Sequence, residues 1–142
     1  MKALTPREAS IFACFTDVVV APEPLLPPVR DTDAVDFFDD WMARSPRLNR
    51  VGMRMLLYVL ELSPLLTGSR KRLRRLDTAG RARWLEAVEH APRPELKLVY
   101  KLMKGAAQLS YWGADSLMLR VGYDPDERVR RGRELRALEG RP

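Results

Sequence analysis

Residues 45–64 read SPRLNRVGMRMLLYVLELSP. Ser45-Pro46 is a capping residue followed by the imino acid that suits a helix start. Leu48, Val51, Met55, Leu56, Val59 and Leu62 then recur in steps of one, three and four residues, which is the wide apolar face of an amphipathic helix in a bundle. Ser63-Pro64 is expected to end that helix, since proline lacks the N–H and crowds the preceding turn. No segment of useful length anywhere in the chain alternates with period two, so this helical pattern sets the fold class.

The same reading extends in both directions. Upstream, Thr5, Pro6 and Glu8 form a cap, a first-turn proline and the third-position carboxylate of a capping box. Ala9, Phe12, Phe15 and Val19 follow at helical spacing, and Pro22, Pro24, Pro27 and Pro28 make a stiff connector. Asp31 or Thr32 is expected to cap a short helix with the stripe Val35, Phe38, Trp41 and Met42. Downstream, Leu65, Leu66 and Gly68 lead into the basic run Arg70-Lys71-Arg72-Leu73-Arg74-Arg75. Asp77 caps a helix carrying Ala82, Trp84, Leu85 and Val88. A fifth helix has Leu96, Val99, Leu102, Met103, Ala106 and Leu109 on one face. Gly113 and Gly122 bracket a short segment, 114–121, and residues 126–139 read as a polar, Arg-rich helix. The expectation is an all-α single bundle of five or six short helices over residues 1–125, with a basic helical tail over 126–142.

Composition narrows the function. The chain has 142 residues, 46% hydrophobic and 31% charged, which is one globular domain that can bury a core without staples. One cysteine, Cys14, and one histidine, His90, exclude an internal disulfide and a Cys/His metal centre built from one chain. The net charge is +6, and 20 of the 25 basic residues are Arg. No run near Met1 has signal-peptide character, and the longest apolar runs fall far short of the ~20 residues that span a bilayer. A cytoplasmic location is expected.

The residues that could carry chemistry read as structural ones. His90, next to the Ala91-Pro92 break, reads as a helix-end cap, and Cys14 as a buried thiol. The carboxylate pairs Asp39-Asp40 and Glu86/Glu89 read as solvated helix faces. There is no GxGxxG or other glycine-rich phosphate loop, so no cofactor is expected in this chain. Two features could bind a partner. One is basic: residues 70–75 together with Arg128, Arg130, Arg131, Arg133 and Arg136. The other is aromatic: Tyr111, Trp112 and Tyr123, of the residue types that anchor interfaces.

In order along the chain, several stretches resemble one family. Leu4-Thr5-Pro6-Arg7-Glu8 opens a helix that passes Asp17 and ends at Pro22. Arg74-Arg75-Leu76-Asp77 leads to Arg81 and Trp84-Leu85. Residues 96–104 run on to Tyr111-Trp112, and Val121-Gly122-Tyr123-Asp124-Pro125 closes the pattern. Residues 4–125 thereby resemble the small subunit of gluconate 2-dehydrogenase-type enzymes. They are also similar to the N-terminal helical region of glucose–methanol–choline flavoproteins; Trp112 stands where that pattern has a second tyrosine. The resemblance implies a non-catalytic accessory subunit that supports folding, flavin loading or stability of a large FAD-dependent oxidoreductase in a hetero-oligomer, with the FAD in the partner. The candidate partner-binding residues are Tyr111, Trp112, Tyr123, Trp84, Arg74 and Arg75. The alternative is a basic helical module for nucleic acid or an anionic membrane surface.

Overall fold

Thr5, Pro6 and Glu8 open the first helix with a reciprocal capping box. The Thr5 N–H donates to Glu8 Oε2 at 2.8 Å, and the Glu8 N–H donates to Thr5 Oγ1 at 3.3 Å. The computed structural model describes residues 1–20, 26–113, 115–138 and 140. Its helices are α1 (Pro6–Val20), α2 (Ala34–Arg44), α3 (Arg47–Leu66), α4 (Thr78–Glu89), α5 (Pro94–Trp112), α6 (Asp115–Arg120) and α7 (Pro125–Leu138), with 3-10 turns at Val29–Asp31 and Leu73–Arg75. Among the described residues there is no strand, so the chain is all-α, with six α-helices before the basic helical tail α7, as the sequence suggested. Pro22 and Pro24 of the expected connector, Ala114 and Glu139 lie outside the described residues.

Helix α1 is the centre. It touches α2, α3, α4, α5 and both 3-10 turns, and Ile11, Phe12 and Phe15 are fully buried along it. Phe12 stacks on Phe38 of α2 with ring centroids 3.9 Å apart, while Phe15 meets Trp84 of α4 and Tyr100 of α5 edge-on at 6.2 Å. Helix α4 begins as expected, with the Asp77 carboxylate accepting from the Gly80 N–H at 2.8 Å. It ends at His90, whose Nδ1 lies 2.9 Å from the Glu86 carbonyl. For α2 the cap is shifted. Thr32 Oγ1 accepts from the Ala34 N–H at 3.3 Å although the residue adjoining the helix is Asp33.

Three expectations are corrected. First, α3 does not stop at Ser63-Pro64 but continues to Leu66 with Pro64 inside it. Proline leaves the Leu60 carbonyl without its usual N–H donor, and the Ser63 hydroxyl donates to that carbonyl at 2.8 Å. The same hydroxyl accepts from Trp84 Nε1 at 3.0 Å, so the break is repaired by a buried relay from α4 through Ser63 to Leu60.

Second, Asp39 is not solvated. It is buried and accepts the N–H groups of Lys2, Ala3 (2.9 Å) and Leu4 (2.6 Å), while its neighbour Asp40 pairs with Lys2 Nζ at 2.8 Å. Residues 2–4 are thus strapped to α2, and Arg54 of α3 donates to the Ala3 carbonyl from the other side.

Third, α3 turns outward most of the face expected inside, and α5 turns outward part of its own. Leu48, Val51, Met55, Val59 and Leu62 are exposed, and α3 instead buries Leu57, Leu60, Glu61, Ser63 and Pro64. On α5, Leu96 and Met103 are buried and Val99 and Ala106 pack against the core as expected, but Leu102 and Leu109 are exposed, and Tyr100, Ala107, Ser110 and Tyr111 face inward with them. Both helices carry apolar residues on two sides, and α1 takes only one.

Burial by itself would raise the Asp39 carboxyl above its ordinary value, but the N–H groups of Leu4, Lys2 and Ala3 outweigh it and hold the group below. A lowered folded value means that this stabilisation is complete above about pH 4, the range of an unfolded carboxyl, and fades as pH falls through the folded value. Asp39→Ala is therefore expected to cost about 2–3 kcal/mol at pH 7. Its melting temperature should also decline less between pH 4 and pH 2 than that of the native chain, as thermal melts at stepped pH will read. Helix α7 buries no described side chain, so truncation after Pro125 should leave the melt of the bundle within a few degrees of the full chain.

Candidate partner interface

The six expected partner-binding residues divide. Trp84 is 2% exposed, gives its indole N–H to Ser63 and packs edge-on against Phe15, which makes it a core residue. Tyr111 is fully buried in a second small cluster with Val29, Ala34 and Leu117, and its hydroxyl donates to the Pro27 carbonyl at 2.7 Å. Its phenol is pushed up by burial and by Asp17 nearby. Arg74 is engaged by Glu61, which is itself buried on α3: Nε lies 3.1 Å from Oε1 and the backbone N–H 3.3 Å from Oε2. Trp112, Tyr123 and Arg75 are on the surface. Trp112 meets Tyr111 edge-on at 5.3 Å, and Tyr123 lies under the Arg128 guanidinium at 4.9 Å.

The structure places the larger apolar surface elsewhere, on α3 and α5. Leu48, Gly52, Met55, Val59, Leu62 and Leu66 follow one another along α3 in alternating steps of four and three. Leu48 is 82% and Met55 64% exposed, and Val51 and Leu65 widen the strip. On α5 the positions are Leu98, Leu102, Gly105, Leu109 and Trp112, again in steps of four and three, with Leu109 62% exposed. That alternation keeps one narrow seam along a helix and is the spacing of helix–helix packing. The two helices touch each other. Phe37 and Trp41 of α2, which touches both, add exposed aromatic area, and the Phe37 ring lies 3.6 Å from where a Cβ on Gly113 would sit, beside Trp112.

Each seam holds one glycine that the fold itself does not require. A Cβ built on Gly52 or Gly105 meets nothing within 4 Å, and a mid-helix glycine costs about 1 kcal/mol relative to alanine. The accessible surface of the chain is 9621 Å², against about 7,500 Å² for a compact monomer of its mass. Helix α7, which buries no described side chain, supplies part of that excess.

Charge is distributed unevenly around these seams. Neither 45–60 nor 96–112 contains an acidic residue. Lys97, Lys101 and Lys104 line one flank of the α5 seam, and Lys104 lies over the Tyr100 ring at 5.6 Å. Elsewhere, Arg7, Ser10, Glu61, Arg72, Arg74 and Arg75 surround a surface cleft of about 640 Å³. Among the described residues Arg7, Arg72 and Arg75 have no carboxylate within 4 Å. Cys14 is buried, with its thiol pushed up mainly by that burial. No group of three or more His, Cys, Asp or Glu among the described residues is placed to hold a metal, and no helix there is long and apolar enough to cross a membrane.

Sequence reasoning missed Gly52, Gly105, Leu98 and Leu66. Their signal was present in the strict four–three alternation and in the absence of acids from residues 45–60 and 96–112. Comparison with family models, with curated proteins and with solved structures finds no match to this chain.

Two outcomes follow for the chain alone. Gly52→Ala and Gly105→Ala should each raise stability by up to about 1 kcal/mol, visible as a melting temperature a few degrees higher. Trp112→Ala should melt as the native chain does, whereas Trp84→Ala should lose about 3–5 kcal/mol, because it opens a core cavity and removes the donor to Ser63.

Proposed function

We propose that the chain is a non-catalytic accessory subunit that binds a large FAD-dependent oxidoreductase of the glucose–methanol–choline type and supports its folding, flavin loading or stability. The observation that carries the binding role is the exposed apolar surface of α3 and α5, with Trp112 at the end of its seam. A single soluble chain that leaves Leu48, Met55, Leu98, Leu102 and Leu109 in water has an apolar area of the kind that marks association. The class of the partner rests on the resemblance of residues 4–125 to the small subunits of such enzymes. The flavin is assigned to the partner, since this sequence contains no glycine-rich dinucleotide loop.

The test is co-expression with the flavoprotein encoded by a neighbouring reading frame. The chain alone should be colourless and helical, and should co-purify with the flavoprotein. Its Trp112→Ala form should lose about tenfold or more in affinity, equivalent to ~1.4 kcal/mol or more, with its melt unchanged. Co-purification unaffected by Trp112→Ala and by Met55→Glu together would remove the proposed surface from the complex.

The second reading, a module for nucleic acid or an anionic membrane surface, is favoured by the arginine cleft around Arg7, Arg72 and Arg75. Salt separates the two. Phosphate contacts weaken steeply between 50 and 200 mM salt, and a largely apolar interface does not.

A further inference from the structure

We propose that the α5 seam, formed by Leu98, Leu102, Gly105, Leu109 and Trp112, is the seat of a partner's amphipathic α-helix whose flank is acidic. The inference rests on the binding role given above and specifies what occupies the surface. The alternation of four and three residues is the register in which one helix accepts another, because only that spacing keeps side chains on a common seam over four turns. Gly105 lies at the middle of the seam with open space in front of it. A side chain there would meet nothing within this chain, so the bare position leaves room for a backbone approaching from outside. An approaching helix supplies that backbone.

Charge selects among the possible occupants. Lys97, Lys101 and Lys104 stand along one flank, and no Asp or Glu occurs from Leu96 to Trp112. A second copy docked antiparallel on the same seam about Gly105 sets residues 106–113 opposite Lys97, Lys101 and Lys104, and these hold no carboxylate, since Glu95 of α5 lies beyond them. An anionic bilayer would answer the lysines, but it gains from apolar area and has no use for a bare glycine between Leu102 and Leu109. A helix with leucine-type residues on its inner face and Glu or Asp on one flank answers the spacing, the glycine and the lysines together.

The test uses the full chain and two synthetic 21-residue helical peptides. They share a leucine seam with alanine at its centre, and carry either Glu or Lys on the flanks. Fluorescence anisotropy should show the Glu-flanked peptide binding at least tenfold more tightly than the Lys-flanked one. Gly105→Leu should weaken the Glu-flanked peptide at least tenfold while leaving the circular dichroism spectrum of the chain unchanged. The Lys97→Glu, Lys101→Glu double variant should reverse the preference between the peptides.

Equal binding of both peptides, or indifference to Gly105→Leu, would overturn the inference. So would binding to phosphatidylglycerol vesicles without binding to either peptide, or a dimer in sedimentation that Gly105→Leu dissociates. A flavoprotein complex that forms but ignores Gly105→Leu would sink this inference and leave the accessory-subunit reading standing. Glu-peptide binding with the stated sensitivities, together with no flavoprotein complex, would do the reverse.

Discussion

Helix α1 can cover only one side of each helix laid against it, while α3 and α5 are apolar on two. Ile11, Phe12 and Phe15 fill the space between the helices around α1, and Leu57 and Leu60 of α3 and Met103 and Ala107 of α5 complete that core. Once those residues are inside, a helical repeat puts Met55, Val59 and Leu62 on one outer face and Leu98, Leu102 and Leu109 on the other. The exposed seams are therefore not a failure of packing. They follow from having one central helix and two doubly apolar neighbours.

Buried polar groups fix which face turns in. Glu61 and Ser63 lie on the inner side of α3, where each has a partner: Glu61 takes Arg74, and Ser63 accepts from Trp84 while donating to Leu60. Rotating α3 to bury Met55 and Leu62 instead would break both arrangements and strand polar atoms that the present orientation satisfies. Asp39 does the same for the chain start, since its carboxylate collects the N–H groups of Lys2, Ala3 and Leu4 and holds them beside α2. Glu8 combines both duties. It completes the Thr5 cap and lies 3.6 Å from Arg54 Nε, so the start of α1 and the middle of α3 share one buried carboxylate.

What could be read from the sequence was local. The Thr5–Glu8 box, the Asp77 cap and the His90 end depend on residues within four positions, and each forms as read. Helix class was equally legible, because apolar spacing alone distinguishes it from strand. The inward face of α3, and the exposure of Leu102 and Leu109 on α5, were not, since periodicity of three and four fits either side of a helix that is apolar on both. Pro64 misled because the donor that repairs its break is Ser63 held by Trp84, 21 positions away. Asp39 looked solvated because its donors are 35 to 37 residues distant. Of the expected interface, Trp112, Tyr123 and Arg75 remain at the surface; Trp84, Tyr111 and Arg74 are held by partners that only the fold brings near.

The outward seams have a direct readout in side-chain oxidation. Hydroxyl-radical footprinting with mass spectrometry should label Met55 and Trp112 strongly in the free chain, where both are exposed, and spare Met42, Met103 and Trp84, which are buried. In the proposed complex with a glucose–methanol–choline-type flavoprotein, labelling of Met55 and Trp112 should fall to the level of those buried controls. Labelling of Met55 and Trp112 that is the same with and without the flavoprotein, in a complex shown to be intact, would contradict the assignment of this surface to the partner.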